Sequence, residues 1–297
     1  MKTVSGFVGA VACALALAAC GGPPDPTKGA RVVHVVAAEN SWGDIAAQVG
    51  GRHVKVTSLI SDPNSDPHLF SADPRAAARL SQANLAIVNG LGYDDFARKL
   101  LDAAPSSRRR VLTIADIVRP PGHDANPHLW YDAPALPAVA RAIARALAAQ
   151  DPRERAFFRA GAARFVRSLQ PLRDAIAAIR ARHRGAPVAY TERVPGYLVD
   201  AAGLTVRTPS GYARAIEQGS EPGPGDVQRM DDLLSGRRVR VLLYNAQATS
   251  LATQRLRALA TRSGVPVVPV TETLPRGESF QSWQARQAAA LLKALDS

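Results

Sequence analysis

Short runs of β-branched and apolar residues alternate twice with helical stretches, and between the two series lies a 34-residue stretch, 151–184, with no strand signal. The first series reads as strands at Val32–Ala37, Val54–Ser58, Leu85–Val88 and Val111–Ile114. Between them are helices at Ser41–Val49, Pro74–Gln82 and Asp94–Ala103, with Ser41 expected as the first cap and Asp73-Pro74 opening the second. The second series has strands at Pro187–Thr191, Val239–Tyr244 and Val265–Val270 and helices at Pro224–Leu234, Ser250–Ser263 and Phe280–Leu295. Such alternation predicts parallel βαβ units. The expected architecture is α/β throughout: an N-terminal lobe over 31–150, a linking helical stretch over 151–184 and a C-terminal lobe over 185–297. As one helix the linker would reach roughly 50 Å, but Pro171 near its middle predicts a kink or a split. Two lobes with a cleft between them suit a small ligand.

The first residues set the compartment. Lys2 gives a positive start, and Val4–Ala19 is apolar but short for a membrane span. The segment ends Leu17-Ala18-Ala19-Cys20-Gly21, which resembles the lipobox of bacterial lipoproteins. That resemblance implies a signal peptide over 1–20, lipidation of Cys20, and an extracytoplasmic protein anchored to a bacterial membrane. Residues 21–30 read as a flexible tether. Cys13 would leave with the signal peptide, so the mature chain would hold no disulfide and would rest on its core alone.

Hydrophobic residues make up 46% of the chain, which fits a packed protein rather than a disordered one. The net charge of +12 raises the question of nucleic acid. Much of it, however, is Arg distributed along helical segments, including Arg141, Arg145, Arg155 and Arg159, and the tightest run is Arg108–Arg110. No zinc-finger spacing or RNA-binding aromatic pattern accompanies it. The expectation is a solvated basic surface, a monomer, and no nucleic-acid partner.

Two of the six histidines share a local setting. Asp66-Pro67-His68-Leu69-Phe70 and Asn126-Pro127-His128-Leu129-Trp130 both read (Asp/Asn)-Pro-His-Leu-aromatic. The proline stiffens each loop and holds the imidazole in place. Taken together, and with Asn126-Pro-His-Leu-Trp-Tyr-Asp132 as the strongest match, these segments resemble the metal-ligand loops of the zinc/manganese receptors of bacterial ABC importers. The resemblance runs through nearly the whole chain. It implies two Rossmann-like α/β lobes joined by a long helix, with one metal in the interlobe cleft and two ligands from each lobe. It also implies a permease and an ATPase as partners.

Carried over residue by residue, the resemblance places the ligands at His68, His128, Glu192 and Glu272. Glu192 stands five residues before Tyr197, at the family's third-ligand spacing. The fourth family ligand is usually Asp followed by Ser-Leu, whereas here the chain reads Thr271-Glu272-Thr273-Leu274, a departure that lengthens the carboxylate arm by one methylene. Two imidazoles and two carboxylates suit Zn²⁺ or Mn²⁺, with Fe²⁺ compatible, and argue against Cu(I) and against Ca²⁺ or Mg²⁺. Zinc-type members often carry a long His-rich loop before the second His. Here that stretch, Arg119–Ala125, is short, and its His123 is expected to be a bystander. Candidates to orient the ligands are Asp66, Asn126, Asp132, Asn245 and Gln247. Trp42 and Trp283 are expected in the core. The competing readings are an extracytoplasmic metal-dependent hydrolase, which would need a water-bearing open position, and an adhesion or structural lipoprotein that keeps the fold. No His-Glu-x-x-His, Gly-x-Ser-x-Gly or other nucleophile motif supports an enzyme.

Overall fold

The computed structural model describes Met1 and residues 32–62, 74–122 and 124–297. The expectations for the signal peptide, Cys20, the tether, Asp66, His68, Asp73 and His123 lie outside the described residues.

In chain order the first series comprises β1 (Val33–Glu39), α1 (Asn40–Gly50), β2 (Val54–Ile60), α2 (Pro74–Ser81), β3 (Leu85–Val88), α3 (Asp95–Ala103), β4 (Arg110–Thr113) and α4 (Ile114–Val118). Then come α5 (Leu136–Gln150), α6 (Arg155–Ser168) and α7 (Gln170–His183). The second series is β5 (Pro187–Tyr190), α8 (Gly196–Ala201), β6 (Thr205–Val206), α9 (Ser210–Glu217), α10 (Pro224–Ser235), β7 (Leu242–Asn245), α11 (Leu251–Arg262), β8 (Val267–Val270) and α12 (Phe280–Asp296).

The strands form two four-stranded sheets, ordered β2-β1-β3-β4 and β6-β5-β7-β8, and every pairing is parallel. In both sheets the first strand of the series lies inside, so the chain departs to one side and then to the other. The crevices between β1 and β3, and between β5 and β7, are therefore the switch points at which parallel α/β sheets present ligand sites. Interior strands read as unbroken apolar runs because helices cover both faces. β3 is buried at every position, as is β7. The largest apolar cluster joins the facing sides of both sheets with α1, α5, α6, α7 and α12, and smaller clusters lie under α2–α3 and under α10–α11.

One capping expectation needs correction. Ser41 does not cap α1: it is buried inside the first turn, and the cap position falls to Glu39, which makes no side-chain capping bond. The linker, in turn, carries the split expected at Pro171 and is not one long helix. It divides at Leu169 into α6 and α7, with Pro171 in the first turn of α7. Proline lacks an N–H and its ring collides with the carbonyl four residues back, so it is tolerated only where a helix begins. Leu169 is buried at the joint.

α6 packs on the first half. At Gly161 an added Cβ would stand 2.2 Å from the Val49 carbonyl oxygen, so only glycine allows this approach to α1. α12 folds back along α7 and sets Phe280 and Trp283 against Phe165 and Tyr131, with ring centroids 5.9–6.2 Å apart. Trp42 and Trp283 are both core residues. Among the described residues no helix is long and apolar enough to cross a membrane.

Candidate metal centre

The C-terminal ends of β5, β7 and β8 converge on one buried point. Thr191 and Glu192 follow β5, Asn245 ends β7, and Glu272 lies two residues beyond β8. All four are under 2% or so exposed. His128, which is fully buried, reaches the same point from the loop that precedes the turn at Leu129–Tyr131.

The imidazole is oriented from behind. Its Nδ1 lies 2.7 Å from Asn126 Oδ1, and the Asn126 side-chain NH₂ donates to the Arg193 carbonyl at 2.7 Å, which fixes the amide's orientation. Asn126 Oδ1 accepts only, so Nδ1 carries the proton and the Nε2 lone pair faces forward. That lone pair is 3.2 Å from Glu272 Oε2. Two acceptors at this distance need a proton or a cation between them. Gly196 makes room for the arrangement, since a Cβ there would meet Asn126 Nδ2 at 2.7 Å.

The carboxylates are held in a similar way. The Asn245 side-chain NH₂ donates to Glu192 Oε1 and, at 2.7 Å, to Glu272 Oε1, drawing the two together. Asn245 Oδ1 accepts from the Gln247 N–H at 3.0 Å, so its amide too has one orientation. The Gln247 side-chain oxygen accepts the backbone N–H groups of Glu272 and Thr273 at 2.5 and 3.1 Å and fixes the loop. Arg193 pairs with Glu217 at 2.7 Å and with Asp124 at 3.2 Å. Two buried carboxylates with one imidazole between the halves form a site that favours a cation.

Asn126, Asn245 and Gln247 thus lie beside the candidate ligands. Asp132 does not: its carboxylate accepts the Ala135 N–H at 3.3 Å ahead of α5, because the turn at Leu129–Tyr131 rotates it off the imidazole. Among the described residues no three His, Cys, Asp or Glu side chains stand as a ready metal set; the fourth expected ligand, His68, is outside them. The other described imidazoles are placed elsewhere: His53 near Glu154 at 3.5 Å, His183 on Asp296 at 2.7 Å, and His34 exposed on β1.

Residues not singled out from the sequence complete the centre. The Tyr93 hydroxyl donates to Glu272 Oε2 at 2.8 Å, and its ring stands edge-on to His128 and Trp130. Burial first, then the charges of Glu272 and Glu39, hold the Tyr93 phenol well above its ordinary range, so it remains a donor. Asn89 donates to the Pro127 carbonyl at 2.8 Å and so positions the His128 loop. Glu39, at the end of β1, is buried, and desolvation followed by the charge of Asp94 pushes its carboxyl well above the usual range. Asn40 bonds both the N–H and the C=O of Leu274, each at 2.9 Å, tying the first half to the loop that carries Glu272. The Asn89-Gly90 pair closing a strand was the available signal; the rest arise from contacts distant in sequence.

Comparison with known proteins identifies the family. The model of the family described as the zinc-uptake complex component A, periplasmic (ZnuA), matches residues 35–294. The chain belongs to the ZnuA family. The manganese-binding lipoprotein MntA of Bacillus subtilis is 26% identical over 244 residues, covering 79% of this chain and 78% of MntA. In the solved structures, a crystal structure of ZnuA superposes with a TM-score of 0.74 at 20% identity, covering 88% of this chain and 98% of that one. The manganese-bound S38A variant of a periplasmic metal-binding protein from Candidatus Liberibacter asiaticus superposes with a TM-score of 0.76 at 16% identity, covering 89% of this chain and 99% of that one. The two-lobed α/β architecture expected from the alternation is thus the ZnuA fold.

Proposed function

We propose that this chain is an extracytoplasmic solute-binding receptor that captures one divalent transition metal between its halves and delivers it to an ABC importer. The observation that carries the reading is the buried meeting of His128 Nε2 with Glu272 Oε2 at 3.2 Å, beside Glu192 on the same Asn245 amide. His68 supplies the fourth ligand. The lobes are 31–150 and 185–297, with 151–184 between them. Cys20 carries the lipid anchor in the membrane, the permease and its ATPase receive the cargo, and the chain acts as a monomer.

Binding is proposed to work by charge and geometry. A dication balances both carboxylates and ties a donor from the first half to two from the second. Family membership supports a binding protein rather than an enzyme. The cargo is Zn²⁺ or Mn²⁺: the family description names zinc, the similar MntA is named for manganese, and two nitrogens with two carboxylates accept either, as they would Fe²⁺.

The test is calorimetric titration of metal-stripped protein with Zn²⁺ and with Mn²⁺, followed by competition between them. One metal per chain, lost on alanine substitution at His128, Glu192 or Glu272, is the expected result. Absence of heat with both ions at micromolar protein would overturn the proposal.

A further inference from the structure

α5 and α6 lie together on the first half, and neither contains an acidic residue. Arg141 and Arg145 are one turn apart on α5, and Arg155 and Arg159 are one turn apart on α6. Like charges at that spacing disfavour a helix. None of the four takes an ion pair among the described residues, and all four are exposed. Other arginines are engaged. Arg109, in the tightest basic run of the chain, donates to the carbonyls of Leu80 at 2.8 Å and Ala104 at 2.5 Å, and Arg193 holds Glu217.

The four unpaired guanidinia rim a groove of about 700 Å³ between the two helices. Its floor is methyl groups, among them those of Ala144, Ala148 and Ala162. The volume is that of a site for a small amphiphile. The lining has no side-chain hydrogen-bonding group besides the guanidinia. A peptide laid there would leave its own N–H and C=O groups without partners, which is costly. An acyl chain has no such groups, and a phosphate fits the guanidinium fork with two bonds. We infer that this groove seats an anionic phospholipid of the membrane surface, with its acyl chain on the alanine floor and its phosphate held by Arg141, Arg145, Arg155 and Arg159. The inference does not rest on the metal reading, since the groove shares no residue with the metal centre.

The experiment compares the full chain with its Arg145→Gln/Arg159→Gln form, using vesicles of phosphatidylcholine and vesicles in which about a third of the lipid is phosphatidylglycerol, the range in which anionic surfaces attract basic groups. The readout is the ratio of binding to the two vesicle types, in which any contribution of the N-terminal segment is common to both forms. Each basic group near such a surface is worth about fivefold, so the double substitution should lower the ratio about 25-fold. Ala163→Glu, an exposed position in the groove, should lower it as well. Arg108→Gln/Arg110→Gln removes the same charge elsewhere and should leave the ratio within about twofold. Metal titration and melting temperature are followed in every form to show that the body is intact. Equal losses in the two double variants would reduce the effect to net charge and overturn the groove. Binding of polyglutamate, but not of anionic vesicles, would assign the surface to an acidic protein and equally overturn it.

Discussion

His128 meets Glu272 through Nε2 and Oε2 at 3.2 Å while its other nitrogen is held by Asn126, so the imidazole presents a lone pair to a carboxylate. A dication seated there would satisfy both atoms at once. Glu272→Gln, which keeps the size of the side chain and removes its charge, should therefore weaken metal binding by orders of magnitude. A competition titration against a chelator measures this directly, and wild-type affinity in that variant would remove the contact from the centre.

Asn126 holds Nδ1, the imidazole nitrogen turned away from Glu272. Asn126→Leu should lower metal affinity about 10–100-fold with little change in stoichiometry. Gly196→Ala should act the same way at a distance, because its new methyl would meet the Asn126 amide. A competition titration against a chelator reads both. Wild-type affinity in both variants would remove the amide from the centre.

Tyr93→Phe removes the hydroxyl that bonds Glu272 across the halves and leaves the ring. A buried hydrogen bond to a charged group is worth about 1.5–3 kcal/mol. The variant should melt lower when metal-free, and the loss should shrink with saturating metal if the ion, as proposed, then holds Glu272. Differential scanning calorimetry with and without metal distinguishes this from a uniform packing defect.

Glu39 supplies the pH dependence. Burial and the nearby Asp94 raise its carboxyl above the unfolded value. The folded state then binds the proton more tightly, so this contribution to stability is complete below the unfolded pKa of about 4.3 and is lost as pH rises through the folded value. Glu39→Gln cannot ionise. Its melting temperature relative to wild type should be higher at pH 8 than at pH 4.5, and the same difference at both would show that Glu39 does not titrate with folding.

Much of this was legible along the chain, for physical reasons. β3 is an unbroken apolar run bounded by polar residues, and its limits match the expectation residue for residue. β6 was missed because two residues, one of them Thr, carry no period. β7 was read too early. Val239 and Val241 are as apolar as the strand itself and are buried, and the Val241 carbonyl already accepts the Ala189 N–H, but the regular pairing begins at Leu242. At the centre, Asn126, Asn245 and Gln247, singled out for standing beside a histidine or close to a strand end, lie among the candidate ligands. Asp132, chosen for the same nearness in sequence, accepts the Ala135 N–H instead, since proximity in sequence says nothing about direction once the chain turns. Tyr93 was out of reach: its partner is 179 residues away, and no local pattern marks it.

The grip of Asn40 on Leu274 has a mechanical meaning. Leu274 lies two residues past Glu272, and both of its backbone groups are clasped from the opposite half. A membrane complex that pries the halves apart would load this short piece of chain before it strains either sheet. The first thing to shift would be the carboxylate arm, so the clasp would act as a ripcord: traction applied at the surface would reach the proposed cargo before the body itself had opened.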